Sequence, residues 1–296
     1  MDRLHEYGIC NYDIISKNER KGRYCLCFCN ENYDKSSSWL SAPENEMCML
    51  KWNSKENEAD YETLVKEMEI YERLAETDIT PKLFAKDPYF VMKYEKDCKT
   101  FRNYLLEGPS EESFEVALKS VLDKYAKMLE LLNNKTKLEF DSLPPLKQQI
   151  RRFHSKLLLS GPEGTKENTK EKTINKIYKY WFWAINRINE NDYSTKSYAI
   201  HGDFHLNNEL VNTECNVFLI DFENVVYGNP NVELAYWYTQ AWMLVSAKEE
   251  YVRILDEHIT ILLDIEFFDK KSFWMIVELF KKAIARNSRF KKVEVR

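Results

Sequence analysis

Residues 198–230 read YAIHGDFHLNNELVNTECNVFLIDFENVVYGNP, a window dense in groups able to bind a metal or move a proton. His201, Asp203 and His205 alternate, so an extended backbone presents all three on one face. Three N/O ligands with an open position suit catalytic zinc and metal-dependent hydrolysis. That chemistry leaves Asn207, Asn208 and the distant Asp221 without a role. Taken singly, each polar residue is also explained as a turn residue that satisfies backbone groups. Asp221 resists that account, because it follows the apolar run Val217-Phe218-Leu219-Ile220 and a carboxylate delivered from a core strand needs a cation or strong donors.

Phosphoryl transfer uses the whole set. It needs a carboxylate to orient the attacking hydroxyl, oxygen ligands for Mg²⁺, a cation on the nucleotide phosphates and an acid that fixes that cation. Asp203 suits the first role, and Asn208 with Asp221 suits the second. The remaining demands fall on the N-terminal third. Lys51 interrupts the apolar stretch Met47–Trp52, where a lone lysine also reads as an edge-strand gatekeeper. On the helix that follows, Glu67 has Leu64, Ile70, Tyr71 and Leu74 as its helical neighbours. An acid on an apolar face needs a partner, and Lys51 supplies one.

These residues require a particular order of elements. Asn11–Ser16, Arg23–Cys29, Met47–Trp52 and Tyr89–Tyr94 read as strands, with a helix over Glu56–Glu76 that stops before Pro81. Asn30–Asn45 reads as a polar surface loop. Beyond residue 95 the pattern becomes helical, with helices expected over Glu111–Asn133, Leu146–Leu159, Thr173–Ile188, Asn231–Val245, Glu249–Leu263 and Lys271–Arg286. Tyr198–Ile200 and Val217–Ile220 interrupt them as short strands around the polar loop. The expected organisation is α+β and bilobal: residues 1–94 form a small antiparallel-sheet lobe with one helix, and residues 95–296 a larger, mainly helical lobe, with a cleft between lobes as the usual place for a ligand.

Composition narrows the function classes. With 296 residues, 44% hydrophobic and 31% charged, the chain is long enough for two cores and has an ordinary globular balance. A net charge of −5 argues against broad nucleic-acid binding, which needs a positive surface. The alternating Cys25, Cys27 and Cys29 lack the spacing of a structural zinc site and read as buried small hydrophobes. No apolar run reaches membrane length and no secretory pattern opens the chain, so a reducing cytoplasm is expected.

The segment His201-Gly202-Asp203-Phe204-His205-Leu206-Asn207-Asn208 resembles the H-G-D-x-x-x-x-N catalytic loop of aminoglycoside phosphotransferases and choline kinases. Leu219-Ile220-Asp221-Phe222-Glu223 resembles their "IDFE" element, and Gly228–Ala235 their "GDPxxDLA" segment, with Asn229 and Glu233 in place of two aspartates. The resemblance implies a protein-kinase-like fold with ATP or GTP between the lobes. It implies Asp203 as the catalytic carboxylate and His205 as a donor near the transferring phosphoryl. Asn208 and Asp221 become the Mg²⁺ ligands, and Lys51, held by Glu67, the contact to the phosphates. Val91-Met92-Lys93-Tyr94-Glu95 resembles the hinge, placing adenine against backbone near Met92, Lys93 and Glu95. Ser16–Gly22 lacks the full glycine pattern of a phosphate-covering loop, and Glu233 is expected to brace the catalytic loop.

The acceptor is then expected to be a small-molecule hydroxyl, aminoglycoside- or choline-like, on a monomer or homodimer. Tyr236, Trp237, Tyr238 and Trp242 lean towards a quaternary amine, and Glu249, Glu250, Asp256, Glu257, Asp264 and Glu266 towards a polyamine; ordinary helix patterning accounts for both sets as well. A nucleotide-binding pseudokinase and the His201/Asp203/His205 hydrolase are the competing classes.

Overall fold

The computed structural model describes residues 12–18, 23–28, 47–52, 58–75, 77–85, 89–93, 97–134, 140–143, 145–159, 193–194 and 196–286. The sequence-expected loop 30–45, the helix over 173–188, Cys29 and Glu95 lie outside the described residues. Two compact units divide the chain: Met1–Cys98 together with Phe218–Glu223, and Lys99–Val217 together with Asn224–Arg296.

The first unit contains one five-stranded antiparallel sheet in the order β1-β2-β3-β5-β4, formed by β1 (Tyr12–Asn18), β2 (Arg23–Phe28), β3 (Met47–Trp52), β4 (Leu83–Ala85) and β5 (Tyr89–Lys93). Lys51 stands in β3 opposite Arg23 on one side and Phe90 on the other, and is thus on an interior strand rather than an edge. Met92 and Lys93 close β5, paired with Met49 and Cys48. Helix α1 (Glu58–Leu74) buries Leu64, Met68, Ile70, Tyr71 and Leu74, the stripe its 3.6-residue period dictates. Glu67 sits on that same stripe with 1% of its surface exposed.

The second unit is mainly helical. Thr100 caps α2 (Phe101–Glu107) through its hydroxyl, which accepts the Asn103 N–H at 3.2 Å, and Gly108 ends it at φ +70°. The long α3 (Glu111–Asn134) carries two acids in its first turn, where the helix dipole favours them. α4 (Leu146–Leu159), α6 (Glu249–Leu262) and α7 (Lys270–Arg286) pack against α5 (Pro230–Val245), which is buried on nearly every side and mostly apolar, with Asn231, Glu233 and Thr239 as buried polar exceptions.

Short strands carry the polar window. β6 (Lys99–Thr100) pairs with β8 (Glu209–Val211), and β7 (Tyr198–Ile200) pairs with β10 (Val226–Gly228). The two strands expected around the polar loop thus have different partners from each other; β6, β8 and β10 are two or three residues long, too short for periodicity to reveal. Between β8 and β9 (Val217–Leu219), Asn212 Oδ1 accepts the N–H groups of Glu214 and Asn216 at 3.0 and 2.8 Å, an Asx-type turn.

Candidate active site

The loop His201–Asn208 is built around its own backbone. Gly202 adopts φ +77°, and a Cβ there would lie 1.8 Å from the carbonyl oxygen of Asn224, so the loop passes this segment at a distance only glycine allows. His201 is fully buried and packs its ring against Phe204, a structural position rather than a ligand's. Asp203 and His205 keep about a fifth of their side chains exposed, and His205 Nε2 lies 3.5 Å from Asp203 Oδ2. His205 Nδ1 accepts the Asn207 N–H at 3.1 Å, which leaves Nε2 to carry the ring proton that faces the carboxylate. Asn208 donates its Nδ2 to the Asp203 carbonyl at 3.0 Å, while its own N–H donates to the His205 carbonyl at 2.8 Å. With the amide nitrogen engaged, Oδ1 is the atom Asn208 can offer a cation.

Asp221 is held in the first unit. It has φ +68°, a left-handed conformation that non-glycine residues adopt at a cost. Its N–H donates to Tyr71 Oη at 3.1 Å, and Phe222 meets the Tyr71 ring edge-on at 5.2 Å. Tyr71, one turn beyond Glu67 on α1, therefore fixes the segment that presents Asp221. Carboxylate oxygens of Glu67, Asp221 and Glu223 lie within 4.8 Å of one another, the one such metal-capable group among the described residues. Three acids this close favour a cation among them, and their hard oxygens suit Mg²⁺. His201, Asp203 and His205 do not converge in this way, which removes the geometry the zinc-hydrolase alternative requires. Tyr71→Phe keeps the ring against Phe222 but deletes the acceptor for the Asp221 N–H. The expected result is a loss of about 1–2 kcal/mol in denaturant unfolding; unchanged stability would show that the hydroxyl holds nothing.

The two departures from the aspartate pattern have physical accounts. Asn229 caps α5: its Oδ1 accepts the Asn231 N–H at 2.9 Å, and its Nδ2 donates to the Ser194 carbonyl at 2.6 Å. An aspartate could make the first bond but not the second. Glu233, fully buried, accepts the Tyr125 hydroxyl at 2.8 Å, and the Tyr125 ring stacks on Phe204 at 4.1 Å. Glu233 thus reaches the catalytic loop through an aromatic ring that spacing alone did not reveal. Burial and the neighbouring Glu233 carboxylate push the Tyr125 hydroxyl well above its usual range. Glu209, directly after Asn208, is also fully buried; its Oε1 accepts Trp237 Nε1–H at 2.8 Å, and burial pushes its carboxyl well above the usual carboxylate range. The alternation of β8 carried the signal, since Glu209 shares its face with buried Val211.

Most of the residues that leaned towards a cationic substrate are otherwise engaged, Glu249 and Glu266 excepted. Tyr236, Trp237 and Tyr238 are core residues exposed by 2% or less. The Lys281 ammonium lies 5.0 and 4.6 Å from the Tyr238 and Trp242 ring centres and bonds the Tyr238 hydroxyl at 3.2 Å. Glu250 and Glu257 pair with Arg253, Asp264 pairs with Lys270, and Asp256 accepts the Tyr238 hydroxyl. Lys51, Met92 and Lys93 are located by their strands only, and Glu95 lies outside the described residues.

The sequence model described as "Phosphotransferase enzyme family" matches residues 20–257. No curated relative matches the chain. Among solved structures, choline kinase LicA from Streptococcus pneumoniae is similar at 12% identity, covering 98% of this chain and 94% of its own, with a TM-score of 0.51. Aminoglycoside phosphotransferase APH(3'')-Id from Streptomyces rimosus, in complex with ADP and streptomycin, is similar at 12% identity over 94% of this chain and 95% of its own, TM-score 0.52. A macrolide 2'-phosphotransferase type I is similar at 10% identity over 99% and 91%, TM-score 0.51. These likenesses establish an α+β, protein-kinase-like fold.

Proposed function

Since the chain belongs to the phosphotransferase enzyme family, we propose that it is a small-molecule kinase that moves the γ-phosphate of ATP or GTP to a hydroxyl of an aminoglycoside- or choline-like acceptor. Residues 1–94 supply the nucleotide-binding groups and residues 95–296 the catalytic and substrate-binding ones. Asp203 accepts the hydrogen bond of the attacking hydroxyl and takes its proton as the bond to phosphorus forms. His205, with Nε2–H turned to Asp203, fixes that carboxylate and adds a donor beside the transferring group. Asn208 Oδ1 and Asp221 are the Mg²⁺ ligands, and the ion, when bound, neutralises charge on the phosphate oxygens. Lys51 contacts the phosphates with Glu67 as its partner, and backbone at Met92, Lys93 and Glu95 receives the base.

The observation that carries this reading is the loop itself, in which the Asn208 amide is bonded to the Asp203 backbone and the part-exposed Asp203 carboxylate is flanked by His205. No helix among the described residues is long and apolar enough to cross a membrane, and the proposed acceptor is water-soluble. A coupled ADP-release screen over aminoglycosides, choline, ethanolamine, sugars and nucleosides, with Mg²⁺ and either nucleotide, tests the proposal. One acceptor should stimulate ADP release and appear phosphorylated by mass spectrometry. Acceptor consumption without nucleotide would count against it. Asp221→Asn should raise the Mg²⁺ concentration for half-maximal rate by about tenfold or more, the loss of one charged ligand; an unchanged Mg²⁺ profile would remove Asp221 from the metal.

A further inference from the structure

Four rings form a column through the second unit: Phe101 of α2, Trp237 of α5, Phe204 of the catalytic loop and Tyr125 of α3. Successive centroids lie 5.9, 5.5 and 4.1 Å apart, with planes tilted by 27°, 16° and 13°. All four are fully buried or, in the terms of packing, have no freedom to turn without moving a neighbour. Phe204 is the residue between Asp203 and His205. Trp237 does two things in this column. One face stacks on Phe204, at the Asp203 end of the loop, while its Nε1–H donates at 2.8 Å to Glu209, the residue directly after Asn208. The same indole is therefore in contact with both ends of the segment that carries the proposed base and the proposed metal ligand. Among the described residues Glu209 Oε2 is buried with no hydrogen-bond partner, so of these Trp237 supplies the one donor its carboxyl receives. A buried carboxyl kept on so little polar support is costly, and a hydrophobe would pack there more cheaply.

We propose that Trp237 is a positioning residue that sets the spacing of Asp203 and Asn208, holding the first through Phe204 and the second through Glu209. The inference rests on the assignment of Asp203 and Asn208 above. A residue that acts only by filling the core would contribute ring volume alone; one that fixes the Asn208 end must also contribute its N–H.

Trp237→Phe separates the two, because phenylalanine retains a ring for the stack and lacks the donor. Two readouts apply: binding of Mn²⁺ in the presence of ADP, followed by electron paramagnetic resonance, and Mg²⁺-dependent ADP release from ATP. The expected result is about a five- to tenfold weaker Mn²⁺ affinity and a similar fall in kcat, with the nucleotide KM within about twofold. Glu209→Leu, which deletes the acceptor instead, should reproduce both changes. Glu209→Gln, which keeps a carbonyl for the indole N–H, should restore both to within about threefold of the parent protein. Mn²⁺ affinity and kcat unchanged in folded Trp237→Phe and Glu209→Leu would overturn the inference, as would Glu209→Gln and Glu209→Leu behaving alike. A parent protein that binds no Mn²⁺ with ADP would instead remove the proposed function and the inference with it.

Discussion

Asp203→Ala is expected to lower acceptor phosphorylation by about 10³-fold, within the range of a positioned acid–base group, while nucleotide binding changes little. The carboxylate is part-exposed, as is His205, while His201, Phe204 and Leu206 around it are buried. Removing it deletes the group proposed to orient the hydroxyl and accept its proton, and leaves the backbone carbonyl to which Asn208 bonds. The loss should therefore fall on kcat, with the acceptor KM affected less. Initial rates on the acceptor found by the ADP-release screen, with nucleotide affinity from calorimetry, measure both. A variant with parental turnover would place the base elsewhere.

Gly202→Ala is expected to damage the fold as much as the chemistry. A methyl group at φ +77° costs about 1–2 kcal/mol from conformation alone. Here it also meets the Asn224 carbonyl oxygen at 1.8 Å and its carbon at 2.7 Å. Backbone cannot swing aside as a flexible side chain can, so either the loop or the Asn224 segment must move. A total near 3–5 kcal/mol belongs to the severe end of single substitutions, and a drop in Tm of about 10 °C should accompany it. Thermal unfolding by circular dichroism measures the first effect and ADP release the second. A variant with parental Tm and rate would mean that the close approach is not maintained in solution.

The long elements were legible because their apolar residues recur at the helical period over many turns. The helices over Leu146–Leu159 and Glu111–Asn134 and the strand Met47–Trp52 fall within a residue of their sequence-expected limits. Of the short ones, Tyr198–Ile200 and Val217–Leu219 were legible, while Lys99–Thr100, Glu209–Val211 and Val226–Gly228 were not; the pairing of Val226–Gly228 with Tyr198–Ile200 is a long-range choice that no local period reports. At the candidate site, the spacing of Asp203, Asn208 and Asp221 makes them candidates from the sequence alone. The sequence does not reveal their supports. Tyr71 was visible as an apolar neighbour of Glu67, but nothing in the sequence says that its hydroxyl meets the N–H of a residue 150 positions later. Trp237, read either as a cation contact or as helix patterning, is core, and so is Tyr125; that their polar tips end on Glu209 and Glu233 is a fact of packing. Asn229, which stands where the resembling segment has aspartate, uses a donor that aspartate lacks.

The ammonium of Lys281 between Tyr238 and Trp242 has a consequence for competition. A cation carried on a neighbouring helix is present at those rings at an effective concentration of millimolar order or higher, whatever the solution contains. Burial lowers its pKa, while Asp256 and Glu278 act in the opposite direction to keep it charged. A diffusing quaternary amine must evict this tethered rival before it gains any ring contact, and a dilute one loses that contest. The two rings are in effect a lock with the key already turned, and preference among acceptors is to be sought in hydroxyl placement rather than in cation affinity there.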